Sequence, residues 1–115
     1  MLQDIQNAID SETTISEVAY TGEELSDLEA RGLEFGNVVF EDCHFTDCSF
    51  LSASFFEVQF LNCIFEGCSF VNGYFRNCDF SGCQADNCNF GQSSFHGVTV
   101  KGGSWFYANF ANSLW

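Results

Sequence analysis

Phenylalanine returns every fifth residue over most of this chain, and a period of five fits neither a helix nor a continuous strand. Thirteen of the fifteen Phe lie on one register: Phe35, Phe40, Phe45, Phe50, Phe55, Phe60, Phe65, Phe70, Phe75, Phe80, Phe90, Phe95 and Phe110. Ala85, Val100, Trp105 and Trp115 fill the remaining slots. Helical faces repeat at 3.6 residues and extended ones at two, so a chain of this period must turn after each short segment. The position two after each central residue supplies the turn chemistry: Asn37, Asp42, Asp47, Asn62, Gly67, Asn72, Asn77, Gly82 and Asn87.

A second register lies two residues before the first, on the same side of an extended segment. It holds all seven Cys (Cys43, Cys48, Cys63, Cys68, Cys78, Cys83 and Cys88) and otherwise small or aliphatic residues such as Val38, Ala53, Val58, Gly73 and Ala108. A twenty-residue period is superimposed: Cys43, Cys63 and Cys83 align, as do Cys48, Cys68 and Cys88. Four pentads per coil give a square cross-section in which each inward pair stacks on its equivalent one coil away, about 4.8 Å along the axis. The expected fold is therefore all-β, a quadrilateral β-helix of about four coils over 33–115.

At these residues the sequence resembles the pentapeptide-repeat family. The resemblance implies a right-handed quadrilateral β-helix with Leu or Phe at the central position. For some members it implies a function as well: quinolone-resistance proteins of this kind imitate duplex DNA, bind gyrase or topoisomerase, and protect it from fluoroquinolones.

Residues 1–32 do not keep the Phe register and read as an N-terminal cap, helical or irregular. Leu2, Ile5 and Ile9 have the spacing of a short amphipathic helix, and Thr21 to Glu24 reads as a capping box for a second helical turn, with Leu25 and Leu28 inward and Gly32 as terminator. Such a segment covers the open end of the stack; the competing reading, given its eight acids against Arg31, is a partner-binding or flexible acidic tail.

The 16 acids against 3 Lys and Arg leave a net charge of -13, which repels phosphate backbones and anionic membranes alike. No direct nucleic-acid binding and no membrane association are expected. Seven Cys without a basic, apolar leader fit a reducing, cytoplasmic setting, where they pack as thiols rather than pair. Metal ligation and disulfides are disfavoured because the Cys lie on different faces or in parallel columns among Phe rings, so no metal and no cofactor are expected. Glu66 and Asp86 occupy equivalent outward positions one coil apart, near the carboxylate separation of a retaining glycosidase. A loop-free β-helix offers no concave pocket around them, and with no nucleophile–base or phosphate-loop motif the chain reads as a non-enzyme.

Partner binding is thus the expectation, by one of two kinds of surface. Six acids gather along one edge, Glu41, Asp42 and Asp79 on one face and Asp47, Glu66 and Asp86 on the next, Glu34 and Glu57 share a third face with Arg76, and the pentads Cys48 to Ser52, Cys68 to Asn72, Cys88 to Gln92 and Ala108 to Asn112 carry no charge. As a copy of DNA the edge is thinly charged: duplex of the same roughly 20 Å carries about twelve phosphates, against eight acids and two bases over 33–115. The second surface is an apolar patch of Leu51, Phe56, Leu61 and Val71, each just after a central residue and so pointing outward. At the C-terminal end, Trp105, Phe106, Tyr107, Phe110, Leu114 and Trp115 predict a homodimer joined through the last coil.

Overall fold

The computed structural model describes residues 1–115. Thirteen short strands follow one N-terminal helix and wind into a β-solenoid. Every pairing is parallel and offset by twenty residues: Phe35 lies beside Phe55, Phe55 beside Phe75, and Phe75 beside Phe95 on one face. Phe40, Phe60, Phe80 and Val100 follow one another on the next face. On the third and fourth faces the upper rungs continue as single bridges, Ile64 to Gln84 to Ser104 and Ser69 to Asn89 to Asn109.

Stacking begins earlier than the Phe register suggests. The strand Ile15–Thr21 pairs with Glu34–Glu41, Glu24–Ser26 with His44–Thr46, and Glu29–Arg31 with Ser49–Leu51. Ile15, Tyr20, Leu25 and Ala30 are the buried central residues of this first rung. The boundary expected at residue 33 therefore moves to Ile15, and the expected second helix at Thr21 to Glu24 is instead turn and strand. The local capping pattern loses to the ladder of hydrogen bonds offered by the rung above. Leu25 does face inward, Leu28 is half-buried, and Gly32 adopts a left-handed turn, φ 69°, between two strands rather than ending a helix.

The true cap is α1, Leu2–Ser11. It buries Ile5 and Ala8, whereas Leu2 and Ile9 stay exposed, because only one narrow helical stripe fits the square mouth of the solenoid. Ile5 closes the axis at the level of Phe35, Phe40, Phe45 and Phe50, leaving a residual space of only about 10 Å³. The Tyr20 hydroxyl donates to Asp4 Oδ2 at 2.7 Å and ties the helix to the first rung. Burial, then that hydrogen bond, hold the Tyr20 phenol above its ordinary range.

Inside the solenoid the rings stack face to face along the axis and meet edge to face around it. Phe35 and Phe55 centroids are 5.0 Å apart at an interplanar angle of 1°, and Phe60 and Phe80 4.7 Å apart at 9°. Phe60 and Phe65, neighbours within one rung, meet at 5.6 Å and 67°. Both geometries suit the aromatic quadrupole, so one residue type satisfies both directions of packing. The chain turns each corner through a left-handed residue: Asn37, Asp42, Asp47, Asn62, Gly67, Asn72, Asn77, Gly82 and Asn87 all have φ between 53° and 65°. Ser52, Glu57, Gln92 and Tyr107 are forced into the same conformation, which costs an ordinary side chain about 1 kcal/mol each.

The second register is more than small. Each Cys directs its sulfur at the carbonyl of a central residue in the rung below: Cys63 to Phe40 at 3.2 Å, Cys78 to Phe55 at 3.3 Å, Cys83 to Phe60 at 3.2 Å and Cys88 to Phe65 at 3.3 Å. Ser93 and Ser113 do the same with hydroxyls, to Phe70 and Phe90, both at 2.9 Å. All seven thiols are free and buried. Burial pushes Cys88 up to about 11 and raises Cys43 and Cys78 as well. Ser93, 1 % exposed, also accepts from the Gly73 amide at 3.0 Å. Gly73 must lack a Cβ here, since one would meet Phe75 Cε2 at 2.9 Å and the Phe70 carbonyl at 3.0 Å. Replacing Ser93 with Ala strands both backbone groups, and we expect a loss of about 1–3 kcal/mol in urea unfolding. Ser93→Cys, which restores a donor of the kind used by its neighbours, should recover most of it.

Candidate protein-interaction surfaces

The corners and faces now fix where each expected contact residue stands. Glu41, Asp42 and Asp47 are exposed along the second rung. The other three acids of the edge have partners within the chain. Glu66 Oε1 lies 3.1 Å from His44 Nε2. Asp79 accepts from the Thr99 hydroxyl one rung up. Asp86 Oδ1 accepts from Ser104 Oγ at 2.6 Å and from the Phe106 amide at 2.8 Å, holding a turn of the last coil. Along this edge Glu41, Asp42, Asp47 and Glu66 are exposed, while Asp79 and Asp86 also hold a hydroxyl or amide of the next rung.

Glu66 and Asp86 do share a shallow open depression of about 430 Å³, where Gly67 and Ala85 thin the third face. The Glu66 carboxylate lies beside His44, whereas that of Asp86 is held by the Ser104–Phe106 turn. Neither arrangement aims the pair at a common point.

The expected apolar patch divides in the same way. Leu51 and Val71 are half-buried and stand above one another at one corner, where the Ser52 amide donates to the Val71 carbonyl at 2.9 Å. Phe56 projects from the strand Ser54–Phe56 and Leu61 from Gln59–Leu61, on successive faces of the square. A corner at Glu57 separates them, so the four side chains do not form one surface.

Phe56 belongs instead to a strip that the five-residue count concealed. On its face Phe56, Arg76 and His96 are paired one above another, and Tyr74 projects beside them. The Phe56 and Tyr74 centroids are 5.7 Å apart and those of Tyr74 and His96 5.6 Å. The signal was the twenty-residue spacing of 56, 76 and 96, visible only once outward columns are read as carefully as inward ones.

At the last rung the central residues Trp105 and Phe110 are half-buried, while Phe106, Tyr107, Leu114 and Trp115 are 66–87 % exposed. Phe106 and Tyr107 point off the face rather than along the axis, because they follow the central residue. Trp105, Phe110 and Trp115, with Phe80, Phe90, Phe95, Val98 and Val100, line a wholly apolar recess of about 200 Å³.

A parallel solenoid with a four-sided, twenty-residue coil, a Phe column on every face and a left-handed residue at every corner defines a pentapeptide-repeat β-helix. The family model for the pentapeptide repeat region matches residues 38–104, more than half of the chain, and the protein belongs to this family. Among solved structures it is similar to a pentapeptide repeat protein from the Arabidopsis thaliana thylakoid lumen, at 21% identity and a TM-score of 0.66 over 80% of this chain and 61% of that one. The chain thus spans less than two thirds of that relative, which shares its fold. It is also similar to the pentapeptide repeat protein Rfr23 from the cyanobacterium Cyanothece 51142, at 8% identity and a TM-score of 0.47 over 100% of this chain and 99% of that one. A third structure, QnrB1, a plasmid-mediated fluoroquinolone resistance protein, aligns at 14% identity and a TM-score of 0.36 over 88% of this chain and 73% of that one. No curated protein matches the chain. No helix is long and apolar enough to cross a membrane.

Proposed function

We propose that this protein is a non-enzymatic scaffold that binds another protein through one of its faces. The observation that supports this is the difference between faces on a closely packed solenoid: one carries an aromatic strip with Glu34 and Glu57 beside it, two carry the other acids of 33–115, and the fourth is uncharged over its pentads Cys48 to Ser52, Cys68 to Asn72, Cys88 to Gln92 and Ala108 to Asn112. Interface centres are depleted of charge and enriched in aromatics, and a rod that already buries its core presents such faces at no further ordering cost. The seven free thiols fit a reducing compartment such as the cytoplasm.

The test is to place a photo-crosslinking amino acid at Arg76, Asp42 or Ser69, one on each kind of face, and irradiate in cells. A discrete crosslinked protein from one position and not the others is expected. Identical products from all three, or none, would remove the reading. The DNA-mimic alternative predicts inhibition of gyrase supercoiling or relief of fluoroquinolone action by the pure protein. With eight acids against two bases over 33–115, the array carries well under the charge of duplex DNA of its length, and we expect neither effect.

We further propose that the 115-residue chain pairs through its last coil, with Trp105, Phe110 and Trp115 around the apolar recess at the centre and Phe106, Tyr107 and Leu114 at the rim. Stacking two such ends removes apolar surface and satisfies strand edges together. Sedimentation equilibrium at tens of micromolar should give a dimer that Phe106→Ser and Leu114→Ser weaken; a monomer throughout would exclude it.

A further inference from the structure

The C-terminal mouth of the solenoid is built to hold a small molecule. We propose that its recess binds a free, neutral aromatic molecule of one ring or two fused rings, a function that goes beyond the protein-binding faces and does not rest on them.

The recess arises from two gaps in the Phe register. Ala85 stands between Phe65 and Trp105 in one column, and Val100 follows Phe80 in the column beside it. The Trp105 indole leans into the space that Ala85 leaves. It meets Phe80 at 5.4 Å and 82° and Phe90 at 5.7 Å and 41°, the separations of neighbours within one rung, such as Phe60 and Phe65 at 5.6 Å. The top rung thereby loses one ring to the rung below, and at Val100 it lacks a second. Only Phe110, stacked on Phe90 at 5.2 Å, and Trp115, stacked on Phe95 at 4.2 Å, continue their columns. The column of Phe40, Phe60 and Phe80, with centroids 5.2 and 4.7 Å apart, ends with no ring stacked on Phe80.

Shape, polarity and ring geometry each select the occupant. Val100, Trp105, Phe110 and Trp115 bring walls from all four faces, so the recess is a pit open along the axis rather than a groove that an extended chain could cross. Its volume is about 200 Å³. An apolar cavity of about 150 Å³ stays dry and takes up benzene, so there is room for one ring or two fused ones. The lining is wholly apolar, and no Asp or Glu follows Asp86 in the chain. A charged group would lose its water there and find no polar atom in the walls, so the occupant is neutral. A ring placed over Phe80 finds a face to stack on and the edges of neighbouring rings around it, the two geometries that aromatic pairs prefer, and an aliphatic body of the same size gains neither.

The experiment is an NMR titration of the full chain, methyl-labelled at valine, with indole. Saturable shifts of the Val98 and Val100 methyls are expected, with a dissociation constant at or below about 1 mM, while Val38 and Val58 in the middle of the stack stay unmoved. Cyclohexanol should bind at least about threefold more weakly, and tetramethylammonium and N-acetyltryptophanamide more weakly still. Val100→Phe supplies the missing ring: it should weaken indole binding at least about tenfold and raise the urea midpoint, so that lost binding is not lost folding. Equal binding of cyclohexanol would make the recess merely apolar, and tighter binding of tetramethylammonium would make it a cation cage. Tighter binding of N-acetyltryptophanamide would assign it to a partner's side chain. Unchanged indole binding or a lowered midpoint in Val100→Phe would mean that no ring slot lies over Phe80, and no shift at millimolar indole would leave no site; each of these results overturns the inference. Sedimentation of the same samples reports pairing separately, and neither a missing dimer nor a missing crosslink bears on the indole result.

Discussion

Replacing Phe60 with Ala should lower the unfolding free energy by about 3–5 kcal/mol. Its ring is 1 % exposed and is held on four sides: stacked on Phe40 at 5.2 Å and Phe80 at 4.7 Å, and edge to face with Phe55 at 5.7 Å and Phe65 at 5.6 Å. The cavity cannot close along the axis, because hydrogen bonds between rungs fix their separation, so the neighbouring rings cannot move in to fill it. In a solenoid each rung contacts only the next, so weakening a middle rung loosens both halves from each other. Urea unfolding followed by tryptophan fluorescence is the measurement, since both Trp lie at the C-terminal end of the stack, Trp115 stacked on Phe95. Phe106→Ser, at a position 71 % exposed, is the comparison and should change stability by less than about 0.5 kcal/mol in the monomer. A loss below about 1 kcal/mol for Phe60→Ala would mean that the stack relaxes and that the rings do not hold it as rigidly as their geometry implies.

Stability should also fall as the pH rises from about 9 toward 11. Cys88 is pushed up to about 11 by burial, and burial raises Cys43 and Cys78 too. Below the ordinary thiol pKa both the folded and the unfolded chains hold these protons, and the full stability is present. Between that pH and the raised folded value the unfolded chain releases protons that the folded chain retains. The folded state then binds more protons than the unfolded one, and unfolding becomes easier with each step in pH. For Cys88 alone the integrated effect is about 2–3 kcal/mol. Cys88→Ser keeps a donor for the Phe65 carbonyl and removes the titration, so its urea midpoint should fall less between pH 9 and 11 than that of the parent. At neutral pH the same burial predicts that an alkylating reagent leaves all seven thiols unmodified in the folded protein and modifies all seven in denaturant. Rapid modification of several without denaturant would contradict it.

Much of this was legible in the residues because the fold is periodic. A Phe every five positions, with a turn-former two later and a small residue two before, leaves one inward direction per segment and one way to stack the segments. The same reading fell short wherever the signal depended on a residue's neighbour in the next rung rather than in the chain. Ile15, Tyr20, Leu25 and Ala30 keep the register without a Phe, and only pairing to Phe35, Phe40, Phe45 and Phe50 reveals them as a rung. Locally, Thr21 to Glu24 is as good a helix start as a corner; the hydrogen bonds from the next rung decide.

The surface divides along the same line. That six of the eight acids over 33–115 cluster on two faces follows from arithmetic on the sequence. That Glu66, Asp79 and Asp86 are taken by His44, Thr99 and the Ser104–Phe106 turn does not, because those contacts depend on side-chain reach between rungs. Leu51, Phe56, Leu61 and Val71 share a position within the pentad, yet corners set them on different faces. Tyr74 and His96 hold different pentad positions and still meet across one. By itself the sequence determined the period, the inward residues, the corners and hence the β-helix, since each follows from spacing along the chain. The tertiary structure alone decided where the stack begins, what Cys and Ser do where they stand in the second register, and which outward side chains stand together. All three depend on contacts made twenty residues apart, where chain spacing fixes the distance between rungs but not which atoms face each other across it.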